Sequence, residues 1–215
     1  MSPAPRFLVV LDVDSTLIQD EVIELLADAA GSRALVSTIT EQAMLGEIDF
    51  ADSLRARVAT LEGLPETVFA DVSQIVRLTL GAQELITGLH EHNCRVGLVS
   101  GGFHELLDPL AADIGIDHWR ANRLEVRHER LTGRVVGPII DAAAKASALR
   151  EWALANGLPL ARTIAVGDGA NDLHMMQEAG LAVAFNAKPR VRAAADLAID
   201  VPDLSQVLPL LGLRG

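Results

Sequence analysis

The sequence predicts an α/β fold built on a parallel β-sheet, and three observations lead to this prediction. Half of the 215 residues are hydrophobic, which is enough for one packed core of substantial size. Short apolar runs that end in small or acidic residues recur along the chain. Segments of helical periodicity separate these runs, and continuous apolar runs of this length are typical of strands buried on both faces of a parallel sheet.

The predicted strands are the five apolar runs at residues 7–14, 95–100, 163–168, 181–185 and 197–200. The helices between them show apolar residues at helical spacing, as in residues 81–93, 145–157 and 171–180. The last two of these helices end at a glycine, which is a common stop signal. Residues 122–140 consist of two extended segments around a polar turn, and this pattern predicts a β-hairpin.

Residues 20–76 interrupt the alternation of strands and helices. Three segments in this stretch have helical periodicity, and no strand pattern separates them. The sequence therefore predicts a core domain of residues 1–18 and 77–215 with a small helical cap subdomain, residues 19–76, inserted after the first strand. The cap would lie beside the carboxyl end of that strand, where ligands bind in open α/β sheets.

Composition excludes several classes of partner. The formal net charge is -11, aromatic residues make up 3% of the chain, and tyrosine does not occur. Nucleic acids and anionic membranes both attract basic surfaces, so neither is expected as a partner. Cys94 is the single cysteine, the start of the chain lacks the apolar run of a signal peptide, and no stretch of 18 apolar residues occurs. We expect a cytoplasmic monomer or homodimer that acts on a small-molecule substrate.

Two aspartates at the end of the first predicted strand are the first candidate site residues. Asp12 and Asp14 would lie on the same face if the strand is regular there. Two adjacent carboxylates repel each other, so such a pair commonly serves a cation, a proton or a reaction. The structural alternative is a strand that leaves into a turn, with Asp14 capping the next helix.

Three later segments bring further polar groups to the same edge of the sheet. Ser100 and Gly101 follow the second strand, where a hydroxyl and free backbone N–H groups suit an oxyanion. Lys145 lies at the start of a helix, where the helix dipole alone disfavours it. The segment "GDGAND", residues 167–172, follows another strand. An ordinary glycine turn, a solvated lysine and Asx caps are the structural alternatives.

Taken together and in this order, "DVDST", "SGG", Lys145 and "GDGAND" resemble the four motifs of the haloacid dehalogenase (HAD) superfamily of phosphohydrolases. Within the cap, Glu21, "EQAMLGEIDF" and "SLRARV" are similar to the phosphoserine phosphatase branch of that superfamily. The resemblance covers nearly the whole chain. It implies a Rossmann-like, HAD-like parallel sheet core with an inserted helical cap.

The resemblance implies a Mg²⁺-dependent hydrolysis of O-phospho-L-serine, the last step of L-serine biosynthesis. Asp12 would be the nucleophile that forms an aspartyl-phosphate, and Asp14 would act first as an acid and then as a base. The resemblance places Mg²⁺ on the Asp12 carboxylate, the Asp14 backbone carbonyl and Asp168. Asp172 would orient water bound to the metal.

The family pattern also implies two sets of substrate contacts. Ser100, the Gly101 backbone and Lys145 would hold the phosphoryl oxygens, and Asn171 would bond to substrate or phosphate. The second set lies in the cap: Glu21 would receive the substrate ammonium, Arg57 its carboxylate, and Met44 and Phe50 would close an apolar lid. In the structural alternative, Glu21 favours a helix start, Arg57 lies on a solvated face, and Met44 and Phe50 are core residues.

Two departures from the family pattern are small. Val13 stands where phenylalanine is more frequent, and about six residues precede the first strand, whereas many relatives carry an N-terminal regulatory domain. We therefore expect no feedback regulation through such a domain. The alternative functions are a related phosphatase or a phosphotransferase for another small phosphomonoester, for example with homoserine as acceptor, and a catalytically silent protein on the same fold.

Overall fold

The computed structural model describes residues 4–44 and 47–213, and the side chain of Met44 falls outside this description. Seven strands within it form one sheet. They are β1 (Leu8–Leu11), β2 (Arg95–Phe103), β3 (His118–Arg127), β4 (Arg130–Val136), β5 (Thr163–Gly167), β6 (Leu181–Phe185) and β7 (Leu197–Ile199).

The sheet has the order β4-β3-β2-β1-β5-β6-β7, with β1 at its centre. Every pair is parallel except β3 and β4, which form the antiparallel hairpin predicted from residues 122–140. The predicted α/β fold with a parallel sheet is confirmed. Because β1, β2 and β5 are neighbours, their carboxyl ends meet at one edge, as a site shared by several strands requires.

Helices connect the strands. They are α1 (Val22–Ala29), α2 (Arg33–Met44), α3 (Phe50–Ala59), α4 (Val68–Ile75), α5 (Ala82–Glu91), α6 (His104–Ile114), α7 (Ala142–Ala155), α8 (Leu173–Glu178), α9 (Pro189–Ala194) and α10 (Val207–Leu210). Asp141 caps α7 by accepting a bond from Ala144 N at 2.8 Å. Gly157 follows α7 with a φ of 66°, a left-handed conformation that stops the helix at little cost.

Burial on both faces explains why the sequence of the central strand, β1, is continuously apolar. Val9 and Leu11 belong to the hydrophobic cluster on one face of the sheet, and Leu8 and Val10 belong to the cluster on the other. All four side chains are fully buried. A strand covered on both faces has no polar side, so alternation disappears from its sequence.

Helices α1–α4 follow β1, where the sequence predicts the inserted cap. Leu54 and Val58 of α3 are buried, whereas Ile75 at the end of α4 is 55% exposed. The chain enters and leaves this helical segment side by side, because Ile18 and Leu78 form an antiparallel bridge. No helix in the described part of the chain is long and apolar enough to span a bilayer.

The β3–β4 hairpin contacts the helical segment directly. Gly63 N donates to Leu131 O and Leu131 N donates to Leu64 O, both at 2.9 Å. Glu66 N donates to Glu129 O at the same distance. Residues 63–66 therefore pair with the hairpin through main-chain hydrogen bonds, and the helical segment is attached to the core at a second place.

Packing of α7 on the sheet generates a stability prediction. A Cβ at Gly97 of β2 would lie 2.7 Å from the Trp152 ring of α7, so Gly97→Ala forces the helix or the ring to move. Overpacking of this kind costs about 1–3 kcal/mol. We expect a decrease of that size in the free energy of unfolding, measured by urea titration. Leu154→Ala, on the exposed side of the same helix, should change it by less than about 0.5 kcal/mol. Equal stabilities of the two variants would contradict this packing argument.

Candidate active site

The chain leaves the sheet one residue before the first aspartate. β1 ends at Leu11, earlier than the predicted strand end at residue 14, and residues 13–17 form an irregular turn. Asp12 N still donates to Val166 O of β5 at 2.9 Å, which holds Asp12 at the sheet edge. Ser15 has a φ of 58°, which is unusual for a residue with a side chain. Regular strand geometry therefore does not relate Asp12 and Asp14, and the turn places each carboxylate separately.

Asp12, Lys145 and Asp172 form the buried centre of the site. Lys145 Nζ donates to Asp12 Oδ1 at 2.6 Å and to Asp172 Oδ1 at 2.8 Å. Lys145 and Asp172 are fully buried, and Asp12 is 4% exposed. The amide of Val13 also donates to Asp12 Oδ1. Among the described residues Asp12 Oδ2 has no hydrogen-bond partner, so this oxygen is available to a ligand.

Burial and mutual repulsion shift the titration of these groups. Burial, together with the charge of Asp172, raises the pKa of Asp12 well above its usual range, although Lys145 opposes this. Burial and the charge of Asp172 also raise the pKa of Asp168 to about 6. Burial alone would lower the pKa of Lys145, but Asp12 and Asp172 outweigh it and raise that pKa above the ordinary lysine value. The lysine is therefore a fixed positive charge.

Asp14 makes the helix-capping contact of the structural alternative, and it also contacts a second loop of the site. Its Oδ1 accepts from Val22 N, the first amide of α1, at 2.8 Å, which is a helix-capping contact. Its Oδ2 accepts from the Ser100 hydroxyl at the same distance. Asp14 thus links the start of the helical segment to the loop at the end of β2.

The Ser100–Gly102 segment lies within the end of β2 rather than after it, and α6 begins at His104. Close packing explains its glycines. A Cβ at Gly102 would lie 2.8 Å from Asp14 Oδ2, and one at Gly101 would lie 3.2 Å from the Phe50 ring. Phe50 of α3 therefore packs directly above this loop. Only glycine allows both approaches without displacement.

Asp168 and Asn171 follow β5, as predicted. Asp168 Oδ1 accepts from the Thr16 hydroxyl at 3.2 Å. Asp172 Oδ2 accepts from Gly169 N at 3.0 Å, so Asp172 holds both this loop and Lys145. Sequence reasoning assigned no role to Thr16, although it lies in the "DVDST" motif. Its hydroxyl gives that motif a direct hydrogen bond to Asp168.

Glu21 and Arg57 of the helical segment are near each other and near Asp14, so that their charges interact. Ser15 Oγ donates to Glu21 Oε1 at 2.6 Å. Glu21 occupies the N-cap position of α1, but its side chain makes no capping bond. Loss of water around Glu21, together with the charge of Asp14, raises the pKa of Glu21 to about 7. Glu21 itself remains exposed, so water screens part of this effect. Burial lowers the pKa of Arg57, and the charge of Glu21 partly offsets this.

The Arg57 guanidinium is available to an anionic ligand. Its Nε donates to Ser53 O at 3.3 Å, and no carboxylate of the described residues lies within ion-pair distance of it. The Met44 side chain lies outside the described residues, so its predicted place in the lid has no structural counterpart here. The Phe50 ring lies close to Gly101, and Arg57 is near enough to Glu21 and Asp14 for their charges to act on it.

The carboxylates fit a divalent metal ion. Asp12, Asp168 and Asp172 can each offer an oxygen such that the three oxygens lie within 4.8 Å of one another. One lysine ammonium against three carboxylates leaves two uncompensated negative charges, which a divalent cation would neutralise. An all-oxygen donor set with few protein groups is typical of Mg²⁺. The buried oxygens thus supply both the charge and the ligand type that such an ion requires.

The parallel sheet, the lysine-bridged aspartates and the loops at the strand ends match one family. The model for haloacid dehalogenase-like hydrolases matches residues 9–177, and this chain belongs to that family.

Individual proteins of this family are similar to the chain over most of its length. A phosphoserine phosphatase of Streptococcus thermophilus is 52% identical over 95% of this chain and 95% of its own length. Phosphoserine phosphatase SerB2 of Mycobacterium tuberculosis is 52% identical over 96% of this chain and 50% of its own length. A homologue from Streptomyces coelicolor is also matched over 50% of its length, so this chain spans about half of these two relatives.

Solved structures give the same result for the fold. A substrate-bound phosphoserine phosphatase complex has a TM-score of 0.91 and 38% identity, with 97% of this chain and 99% of that chain covered. A phospho-aspartyl intermediate analogue of phosphoserine phosphatase has a TM-score of 0.90 and 39% identity, with 96% and 99% covered. The HAD-like fold implied by the sequence motifs is confirmed.

The raised carboxylate pKa values predict how stability depends on pH in metal-free protein. Between the ordinary value of 3.8 and the folded value of about 6, Asp168 binds more protons in the folded state than in the unfolded chain. Glu21 behaves likewise between 4.5 and about 7. Stability from these groups is therefore present at low pH and lost as pH rises through this window.

The measurement is the melting temperature in excess chelator at about pH 5 and about pH 8, repeated with Mg²⁺. We expect a lower melting temperature at the higher pH, and a larger increase on adding Mg²⁺ there, since the ion binds the folded state. Asp168→Asn should reduce both differences. Identical melting temperatures with and without Mg²⁺ at the higher pH would contradict the assignment of this carboxylate cluster to a cation.

Proposed function

We propose that this chain hydrolyses O-phospho-L-serine to L-serine and phosphate through an aspartyl-phosphate intermediate. The observation that carries the proposal is the bond of 2.6 Å between Lys145 Nζ and Asp12 Oδ1, which fixes a buried carboxylate beside Asp14. The phosphoserine phosphatases to which the chain is similar over nearly its whole length support this substrate.

The first chemical step transfers the phosphoryl group to the protein. Asp12 Oδ2, which has no other partner among the described residues, attacks phosphorus while the bond from phosphorus to the serine oxygen breaks. Asp14 gives its proton to that departing oxygen. Lys145 and Val13 N hold the other oxygen of Asp12, so the attacking oxygen has one orientation.

The second step releases phosphate. Asp14, now a carboxylate, takes a proton from a water molecule whose oxygen attacks phosphorus of the aspartyl-phosphate. The bond from phosphorus to Asp12 breaks, which restores the Asp12 carboxylate and leaves Asp14 protonated for the next cycle. One water molecule is consumed and the protein is unchanged.

Charge stabilisation comes from groups around the phosphoryl position. Ser100, the Gly101 backbone, Lys145 and Asn171 bind the phosphoryl oxygens in this proposal. Mg²⁺, held by the Asp12 and Asp168 carboxylates and the Asp14 carbonyl, would neutralise negative charge on those oxygens. Asp172 accepts hydrogen bonds from Lys145 Nζ and Gly169 N and so fixes the positions of both groups.

The helical segment selects the substrate. We assign residues 19–76 as a cap in which Glu21 receives the substrate ammonium and Arg57 receives its carboxylate by a two-pronged contact. Phe50, whose ring lies close to Gly101, closes the apolar part of this lid. No carboxylate of the described residues forms an ion pair with Arg57, which supports this role. A substrate carboxylate can bind the guanidinium without first displacing another acid.

We also propose a cytoplasmic location and a monomeric or homodimeric state. The buried, unpaired Cys94 is consistent with a reducing compartment. Sedimentation of the purified protein measures the oligomeric state.

The test of the proposed reaction is phosphate release from L-phosphoserine, with phosphothreonine and phosphoethanolamine alongside, in Mg²⁺ and in excess chelator. We expect Mg²⁺-dependent turnover of phosphoserine well above that of the others, and no turnover by Asp12→Asn, whose retained fold is checked by circular dichroism. Adding homoserine tests transfer to an alcohol. Turnover by Asp12→Asn would remove Asp12 as nucleophile, and transfer in preference to hydrolysis would favour a phosphotransferase.

The cap assignment predicts a change of specificity in Arg57→Ala. Loss of the guanidinium should reduce kcat/KM for phosphoserine by roughly 10²-fold, since a charged hydrogen-bonded contact is lost. Phosphoethanolamine, which lacks the carboxylate, should be affected much less. Arg55→Ala is the matched control, because Arg55 lies on the exposed side of the same helix and pairs with Asp52. Equal losses on both substrates would contradict the assignment.

A further inference from the structure

The carboxyl end of β2, which contains the proposed phosphoryl-binding residues, pairs irregularly with β3. Val99 is opposite Arg120 and Phe103 is opposite Asn122, so four steps along β2 correspond to two steps along β3. The additional residues form a bulge that contains Ser100, Gly101 and Gly102. Bulges re-aim backbone groups, and they leave some of them without a partner in the ladder.

The Asn122 side chain supplies the missing partner. Its Nδ2 donates to Gly101 O at 2.8 Å, and its Oδ1 accepts from Ile140 N at 2.9 Å. Asn122 is 1% exposed, so water does not replace these bonds readily. One partner is a carbonyl and the other an N–H group, so a single orientation of the amide satisfies both. The amide joins the bulge to the segment that leads into α7 and Lys145.

The bond to Gly101 O begins a chain of oriented groups. The peptide that contains Gly101 O also contains Gly102 N, which donates to Ser100 Oγ at 2.7 Å. Because Ser100 Oγ accepts this bond, its own proton is directed to Asp14 Oδ2, 2.8 Å away. Each bond fixes the direction of the next, from the Asn122 amide to the Asp14 carboxylate.

We propose that Asn122 is a positioning residue for the phosphoryl-transfer reaction. It sets the plane of the Gly101–Gly102 peptide, and through that plane it sets the Ser100 hydroxyl and the Asp14 carboxylate. The Asn122 amide bonds to Gly101 O and Ile140 N and not to Asp12 or Asp14, so it acts through the Gly101–Gly102 peptide and Ser100. The reaction concerned is that of the proposed function, on which this inference rests.

The test compares Asn122→Ala with Asn156→Ala. Asn156 is a matched control because its amide also makes two hydrogen bonds, to His118 Nε2 and Trp152 O, far along the chain from the loop. Both variants should lower the melting temperature. We expect Asn122→Ala alone to lower kcat about 10- to 100-fold, as misplacement of reacting groups does. The KM for phosphoserine should change less, since the cap contacts remain.

A double-mutant cycle tests the route. If Asn122 acts through the serine hydroxyl, Asn122→Ala should have little further effect on kcat in a Ser100→Ala background. Full additivity would contradict the proposed chain of bonds. If Asn122→Ala does not fold, Asn122→Ser is measured in the same way, because its shorter side chain does not span both partners.

Binding of inorganic phosphate with Mg²⁺, measured by calorimetry, separates this inference from the proposed reaction. Asn122→Ala should weaken phosphate binding about 10-fold and Asn156→Ala should leave it unchanged. Wild-type protein that binds phosphate but does not hydrolyse phosphoserine would overturn the proposed function while leaving this comparison valid. Equal phosphate affinity and equal kcat in the two variants would overturn the role of Asn122.

Discussion

The buried ion triad of Asp12, Lys145 and Asp172 is the interaction on which the site depends. Two carboxylates in a desolvated position repel each other, and a single ammonium between them makes the arrangement possible. Removing one partner of such a cluster leaves an uncompensated buried charge, which is strongly destabilising. The triad also joins the sheet edge, α7 and the loop after β5, three parts of the chain that are far apart in sequence. Lys145 is thus both a structural connection and a charge in the cleft.

The excess of negative charge around this triad relates stability to function. A metal-free site with three carboxylates and one ammonium favours protonation, as the raised pKa of Asp12 shows. A protein optimised for stability alone would replace some of these acids with neutral groups. Retaining them is understandable if a cation and a phosphate occupy the site during turnover, since each then meets its opposite charge.

Sequence patterns predicted most of the fold because the strands are covered on both faces. The predicted run at residues 181–185 coincides with β6, the run at residues 7–14 contains β1 but extends beyond its end, and Gly157 ends its helix as predicted. Local pattern failed where tertiary contacts decide. After β1 the chain turns away from the sheet, and there Asp14 accepts hydrogen bonds from Val22 N and from the Ser100 hydroxyl.

The residues of the site were largely predictable from the sequence, but the hydrogen bonds between them were not. The positions of Asp12, Lys145 and Asp168 followed from motifs at strand and helix ends. The bond between Lys145 and Asp172 was not predictable, since those residues are separated by 27 positions and meet only because α7 packs against α8 and the turn that precedes it. Thr16 and Asn122 carried no signal of their own, because a threonine in a turn and an asparagine in a hairpin are common in proteins of any function.

The pairing of residues 63–66 with the β3–β4 hairpin limits how the helical segment can move. If it were attached only at Ile18 and Leu78, it could rotate as a rigid body about that single hinge. The main-chain bonds from Gly63, Leu64 and Glu66 to the hairpin fasten the opposite side. A segment held at both sides moves away from the sheet only if it breaks those bonds or carries the β3–β4 hairpin with it. The hairpin thus acts as a second anchor, and any displacement of helices α1–α4 involves the edge of the sheet as well.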